Sequence, residues 1–320
     1  MFFYFNKNTI IQIIISVGLL GWAFFSIITQ MTLMAPDHQA FLYQAIYPFL
    51  AARPWCYKAL AILITLLTAF FIQRYFSISK FSDNVTYMPI VFFLLLFNLN
   101  HSFSIFSPVF FTILTSAFLL MRNTQNEHDP SLRNSIFSSG LFLGINSLLD
   151  FHSVWLIGMI ILVLMITSIS KFKDVVILLV GVLFIYLYLV TYGYLTDTIP
   201  SIWSVFQDLK FGYIIHNFAT LQWLDWIFIA VLGLTLLLFS FAGKIYFDNK
   251  IVALRRRYIA FILLIITSIT MGIFSNYELP VSLQYLLLPT ALIFALTSLI
   301  EERKWLHDFF ILATFILLWL

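Results

Sequence analysis

Long apolar runs, interrupted by short polar stretches, set the pattern of this chain. With about 20 apolar residues needed per crossing, runs at about 9–31, 57–73, 87–100, 103–121, 135–149, 153–170, 174–192, 224–243, 258–275, 281–300 and 306–320 predict about eleven helical spans. The run 135–170 is nearly continuous but needs a turn, and Asp150-Phe-His-Ser153 is the polar break that supplies one. The stretch 87–121 turns in the same way near Asn98-Leu-Asn-His101. Between the first two runs, Phe41, Leu42, Ala45, Ile46, Phe49 and Leu50 recur at helical spacing, opposite Gln39 and Gln44. That predicts an amphipathic helix lying on the membrane in the first outer loop. A second interfacial element is expected over residues 193–223, which are rich in Tyr and Trp. The fold class expected is all-α, a polytopic transmembrane helical bundle, with residues 1–320 forming a single integral membrane domain.

Composition sharpens this picture. Of the 320 residues, 62% are hydrophobic and only 10% charged, at a mean hydropathy of +1.00. A soluble domain carries about 25% charged residues, so most of this apolar surface has to face lipid or other helices. The first run is too long for a signal-peptide core and reads as a retained span. Cys56 is the single cysteine, which excludes an intrachain disulfide.

Charge then orders the spans. With the N-terminus in the cytoplasm and sides alternating, the cytoplasmic stretches hold Lys7, Arg74, Lys80, Arg122, Arg133, Lys171, Lys173, Lys244, Lys250, Arg255, Arg256, Arg257, Arg303 and Lys304. The outer stretches hold Arg53, Lys58 and Lys210. Together these account for all 17 basic residues, the asymmetry that the positive-inside rule requires. The expected location is a bacterial inner membrane. Arg255-Arg-Arg257 reads as a topology determinant, and Gly140-Leu-Phe-Leu-Gly144 as a notch where helices pack closely.

The outer stretches also hold Asp37, His38, His101, Asp150, His152, Asp197, Asp208, His216, Asp225 and Glu278. Ionisable groups at a bilayer are costly and tend to serve function. Asp37-His38 and Asp150-x-His152 each pair a carboxylate with an imidazole, which suits a general base with an orienting partner or ligation of a divalent cation. The spacing fits no specific metal motif, and capping residues in solvated loops would look the same. Arg53, beside Pro54 and Trp55, suits either a lipid phosphate or a snorkelling anchor. No phosphate-binding loop, nucleophile elbow or zinc-protease helix occurs, and no nucleic-acid partner is expected.

The segment Met34-Ala-Pro-Asp-His-Gln-Ala-Phe-Leu-Tyr-Gln-Ala-Ile-Tyr-Pro48 follows the first span directly. With the hairpin Gly140–Trp155 and the turn Asn98–Ser102, it resembles the polytopic GT-C superfamily of glycosyltransferases, including protein mannosyltransferase-like and aminoarabinose-transferase-like members. The resemblance covers residues 1–192, with 193–320 as additional spans, and is architectural more than motif-exact. It implies transfer of a sugar from a polyprenyl-phosphate carrier at the outer face. Asp37 would be the catalytic base with His38 beside it, and Arg53, Asp150, His152 and Glu278 would bind substrate. Some branches use Mg or Mn, for which Asp37, Asp150 and His152 are the candidate ligands. Two departures stand out: His38 replaces a second acid of many members, and Asp150 replaces a basic hairpin residue. The alternatives are a non-catalytic membrane subunit of a cell-envelope assembly or secretion complex, with a membrane-protein partner, and a lipid or solute transporter.

Overall fold

The computed structural model describes residues 9–35, 41–79, 86–99, 104–123, 132–166, 172–199, 203, 252–275 and 277–299. The expected spans at 224–243 and 306–320 lie outside the described residues, as do most of 193–223 and the residues Asp37, His38, His101, Asp208, His216 and Asp225. What is described is overwhelmingly helical, so the all-α expectation holds.

Helix α1 spans Thr9–Gln30 and leads into a two-residue strand β1, Thr32–Leu33. Helices α2 (Phe41–Ala52), α3 (Pro54–Ser79) and α4 (Met88–Leu99) follow. Then come strand β2 (Ile105–Phe106) and helices α5 (Val109–Asn123), α6 (Leu132–Leu149), α7 (Val154–Ile166) and α8 (Phe172–Leu195). The last described elements are α9 (Val252–Phe274), the short α10 (Leu279–Leu283) and α11 (Leu287–Leu299). Three of them, α1, α3 and α8, are long and apolar enough to cross a membrane. Only 22% of the apolar windows of α1 and α8 is buried, against 39% for α3, so the first two ride on the outside of the bundle. The architecture is compatible with an integral membrane protein.

Named contacts fix the helix directions. Gln12 of α1 accepts the Tyr87 amide at the start of α4, and Asn98 near the end of α4 donates to the Leu19 carbonyl, so α1 and α4 run parallel. Tyr57 meets Phe106 and Phe71 meets Phe118, which makes α3 and α5 parallel as well. Helices α5 and α6 are antiparallel, since Asn146 donates to Thr112 while Phe142 packs on Phe118. Along α6 and α8, Gly140 faces Leu178 and Gly181, Gly144 faces Ile185, and Ser147 bonds Tyr186. These two helices therefore run the same way, and α7 has to return between them. That is the turn expected at Asp150–Ser153.

The Gly140–Gly144 notch has a steric basis. A Cβ on Gly140 would strike the Leu178 carbonyl, one on Gly181 would sit 2.6 Å from the Phe137 carbonyl, and one on Gly144 would sit 2.9 Å from Ile185 Cβ. Backbones approach this closely only where side chains are absent.

The parallel pairing of β1 with β2, Thr32 opposite Ile105 and Leu33 opposite Phe106, is not visible in the hydrophobic pattern. It ties the exits of α1 and α4 together. The Met34 amide extends it by donating to the Phe106 carbonyl at 3.0 Å. At the opposite end of the bundle, Gln12, fully buried, accepts from the Tyr87 amide, and Gln73 donates to the Thr86 carbonyl. These side chains satisfy backbone groups where water is excluded, as a helix entry in an apolar setting requires.

Candidate functional site: a caged carboxylate with an open imidazole

Helix α6 ends at Leu149, and Asp150 takes an extended conformation (φ −140°, ψ 104°) that breaks it. Phe151–Ser153 form one turn of 3-10 helix before α7 begins. The Asp150 amide still donates to the Asn146 carbonyl at 2.7 Å, while its side chain caps the new turn through the His152 amide. An Asp followed two residues later by a residue with a free amide is a familiar local cap. What distinguishes this one is its setting. Asp150 and His152 are both 0% exposed.

The carboxylate is caged on both oxygens. Oδ2 accepts from Thr112 of α5 at 2.6 Å and from Tyr285 at 2.7 Å. Oδ1 accepts from the His152 amide at 3.2 Å, His152 Nδ1 at 3.3 Å and Tyr277 at 3.4 Å. Tyr277 and Tyr285 flank the connection between α9 and α11, with Pro280 in the first turn of α10 between them, and Gln284 anchors that connection to the β2 segment by accepting from Ser107 and donating to the Ile105 carbonyl. Asp150 thus ties α5, the α6–α7 turn and the α9–α11 connection to one point. Burial pushes the pKa of the Asp150 carboxyl up, but the bonds from His152, Thr112 and Tyr285 outweigh it and hold the group below the usual carboxylate range.

His152 uses Nδ1 on this carboxylate, and a carboxylate can only accept, so Nδ1 carries the proton. Among the described residues, Nε2 meets no hydrogen-bond partner although it is buried. Asn146 Oδ1 and Ser153 Oγ, in the same turn region, are likewise buried without one. The ring packs edge-on against Tyr277, centroids 5.2 Å apart. A fixed imidazole with a carboxylate behind it and an open Nε2 can accept a hydrogen bond or a proton.

The other expected site residues are distributed as follows. Arg53 is exposed between α2 and α3, its guanidinium 4.9 Å above the Phe49 ring. Glu278 is exposed beside Tyr277 and makes no side-chain cap bond. The segment carrying Asp37 and His38 lies outside the described residues, but its flanks do not. Tyr43 donates to the Met34 carbonyl at 2.8 Å, while Phe41 and Leu42 pack against the cluster of Leu148, two residues from Asp150, and Leu189. A metal does not fit the part of the site that is described. No group of three or more His, Cys, Asp or Glu gathers there, and five donors already occupy the Asp150 lone pairs.

Sequence reading singled out Asp150 and His152 but missed Thr112, Tyr277, Tyr285 and Asn146. Their signal is faint: hydroxyl and amide groups inside otherwise apolar stretches, with the two tyrosines on either side of Pro280. Fold and site together define a helical membrane-type bundle with a buried carboxylate–imidazole pair at one end. No family model, curated protein or solved structure matches the chain.

Proposed function

We propose that the chain is a glycosyltransferase-like membrane protein, which moves a sugar from a polyprenyl-phosphate carrier to an acceptor at the membrane face that carries Asp150. In this reading Asp37 removes the proton from the acceptor hydroxyl as its oxygen bonds the sugar carbon, and the carrier phosphate leaves with the electron pair. Arg53 holds that phosphate, and His38, Asp150, His152 and Glu278 line the substrate. The orientation that goes with it has about eleven spans and a cytoplasmic N-terminus in a bacterial inner membrane. The observation that carries the reading is the anchoring of both flanks of residues 36–40 at the Asp150 end, through Tyr43 on Met34 and Phe41 on the Leu148–Leu189 cluster. That is support for a shared site holding Asp37 and the Asp150–His152 pair.

A non-catalytic subunit of an envelope complex is the second reading. It is favoured by the saturation of the Asp150 oxygens, which suits a structural tie as well as a substrate contact. Complementation of a deletion strain, with profiling of envelope glycans, separates the two. Asp37→Asn keeps shape but loses the base, so transfer should fall by about 10² to 10⁴ with protein level unchanged. Arg53→Ala should mainly weaken use of the lipid carrier. Full complementation by Asp37→Asn with normal glycans would overturn the catalytic reading and promote the subunit reading.

A further inference from the structure

We propose that His152 Nε2 is a hydroxyl-recognition point for a neutral sugar ring, with Asp150 as the residue that positions it and keeps anions out. This inference rests on the sugar-transfer reading and narrows it, because it states which end of the donor or acceptor enters the α6–α7 turn and which end does not.

The first argument is the unused lone pair. His152 Nδ1–H donates to Asp150 Oδ1, which leaves Nε2 on the side of the ring away from the carboxylate. A buried acceptor without a donor is costly and calls for a partner, which none of the described residues supplies. A sugar hydroxyl is such a donor. The second argument is charge. Among the described residues no Lys or Arg bonds Asp150, and its side-chain partners are Thr112, Tyr285, Tyr277 and His152 through hydrogen bonds. A phosphate or a uronate brought to Nε2 would meet that carboxylate across one imidazole ring in a medium that screens poorly. The anionic end of a polyprenyl-phosphate sugar therefore belongs elsewhere, and the neutral ring belongs here. The third argument is access. Of the donors around Asp150, Tyr277 is the farthest, at 3.4 Å against 2.6 Å for Thr112 and 2.7 Å for Tyr285. Its ring also meets the imidazole edge-on, centroids 5.2 Å apart. It stands in the non-helical connection between α9 and α10, and a ligand that displaces its hydroxyl from Asp150 gives up the longest bond of the set. Once moved, the ring offers an aromatic face of the kind on which sugar C–H groups pack, next to the Nε2 acceptor.

The test uses the full chain in lipid nanodiscs, labelled with ¹⁵N-histidine, and reads the His152 Nε2 resonance. The probes are methyl β-glucoside, its carboxylate counterpart methyl β-glucuronide, and inorganic phosphate. Methyl glucoside should move the His152 resonance in a saturable way, while the two anions leave it in place. His152→Gln should weaken glucoside binding by about threefold to tenfold, the worth of one hydrogen bond. Tyr277→Phe, which frees the ring from Asp150, should preserve or tighten binding. If His152→Gln does not fold, a chain with His38, His101, His128, His216 and His307 changed to Gln carries the single informative signal instead. An unmoved resonance at saturating glucoside, an equal response to glucuronide or phosphate, or unchanged binding in His152→Gln would each overturn the proposal. Its fate is separable from that of sugar transfer. Glucoside binding through His152 together with full complementation by Asp37→Asn leaves the subsite standing and removes transfer, whereas the reverse pair removes only the subsite.

Discussion

Asp150 gathers hydrogen bonds at two distinct lengths, and that difference ranks the residues around it. Tyr285 and Thr112 donate at 2.7 Å and 2.6 Å, near the usual optimum for hydroxyl donors, while Tyr277 donates at 3.4 Å, close to the limit. Tyr285→Phe should therefore cost about 1.5–3 kcal/mol, the range for a hydrogen bond to a charged group, and Tyr277→Phe markedly less. Thermal unfolding of the purified variants in one detergent checks the order, and equal losses would contradict it. Asp150→Ala strips the acceptor from several buried donors at once and should cost more than either, about 3–5 kcal/mol. Acid sensitivity belongs to the same residue. The folded-state pKa of Asp150 is depressed, so its stabilisation is present above the ordinary carboxylate range and is lost as pH falls through the depressed folded value. His152→Gln removes the foremost bond that lowers it, so the acid-induced loss of the fold should begin at a higher pH than in the parent chain.

Among the helices, the α6–α8 pair carries the clearest steric commitment. Gly140 and Gly181 pass backbone against backbone, and neither can accept a Cβ without displacing a carbonyl. Gly140→Ala should destabilise the fold by about 1–3 kcal/mol, as overpacking does. Gly18→Ala in α1 and Gly158→Ala in α7 serve as controls, since nothing lies within 4 Å of the added methyl group. Those changes should be neutral or stabilising by up to about 1 kcal/mol, because alanine favours a helix over glycine. Scanning fluorimetry on the three variants separates the cases, and equal melting temperatures would remove the close-packing account. Helix α2 also finds its reason in packing. Its buried residues are Tyr43 and Leu50, and of the stripe read from the sequence Ala45 and Phe49 are exposed, so packing against α6 and α3 selects a different face from the one expected.

For the molecule as a whole, the alternation of helix directions agrees with the distribution of basic residues. Helices α1 and α4 are parallel, α3 and α5 are parallel, and α6 and α8 are parallel, each pair separated by one intervening crossing in the expected order. Reporter fusions after Arg122, Lys173 and Arg257 should accordingly report the cytoplasm, and fusions near Asp37, His152 and Asp208 the outer side. A cytoplasmic signal at His152 would contradict the assignment of sides, even though the helix packing would stand.

Hydrophobic periodicity and charge were enough to determine the helical class, the place of the α6–α7 turn, the glycine notch and the helix α2. Each of these is a local property: an apolar run long enough to leave water, a polar break that cannot stay in it, a pair of missing side chains one helical turn apart. The identity of Asp150 and His152 as unusual residues was legible for the same reason, since charge in an apolar chain stands out. Their chemistry was not. Whether Asp150 is a solvated cap or a buried anchor depends on Thr112, Tyr277 and Tyr285, which come from positions 38, 127 and 135 residues away. Nothing in a neutral tyrosine or threonine announces that its hydroxyl will meet a carboxylate so distant along the chain. The β1–β2 pairing was hidden for a related reason, because a two-residue ladder is set by where two helices happen to end and leaves no period in the sequence. Tertiary structure alone decided these points, because only chain folding brings together donors and acceptors that have no local partner and, once buried, must find one.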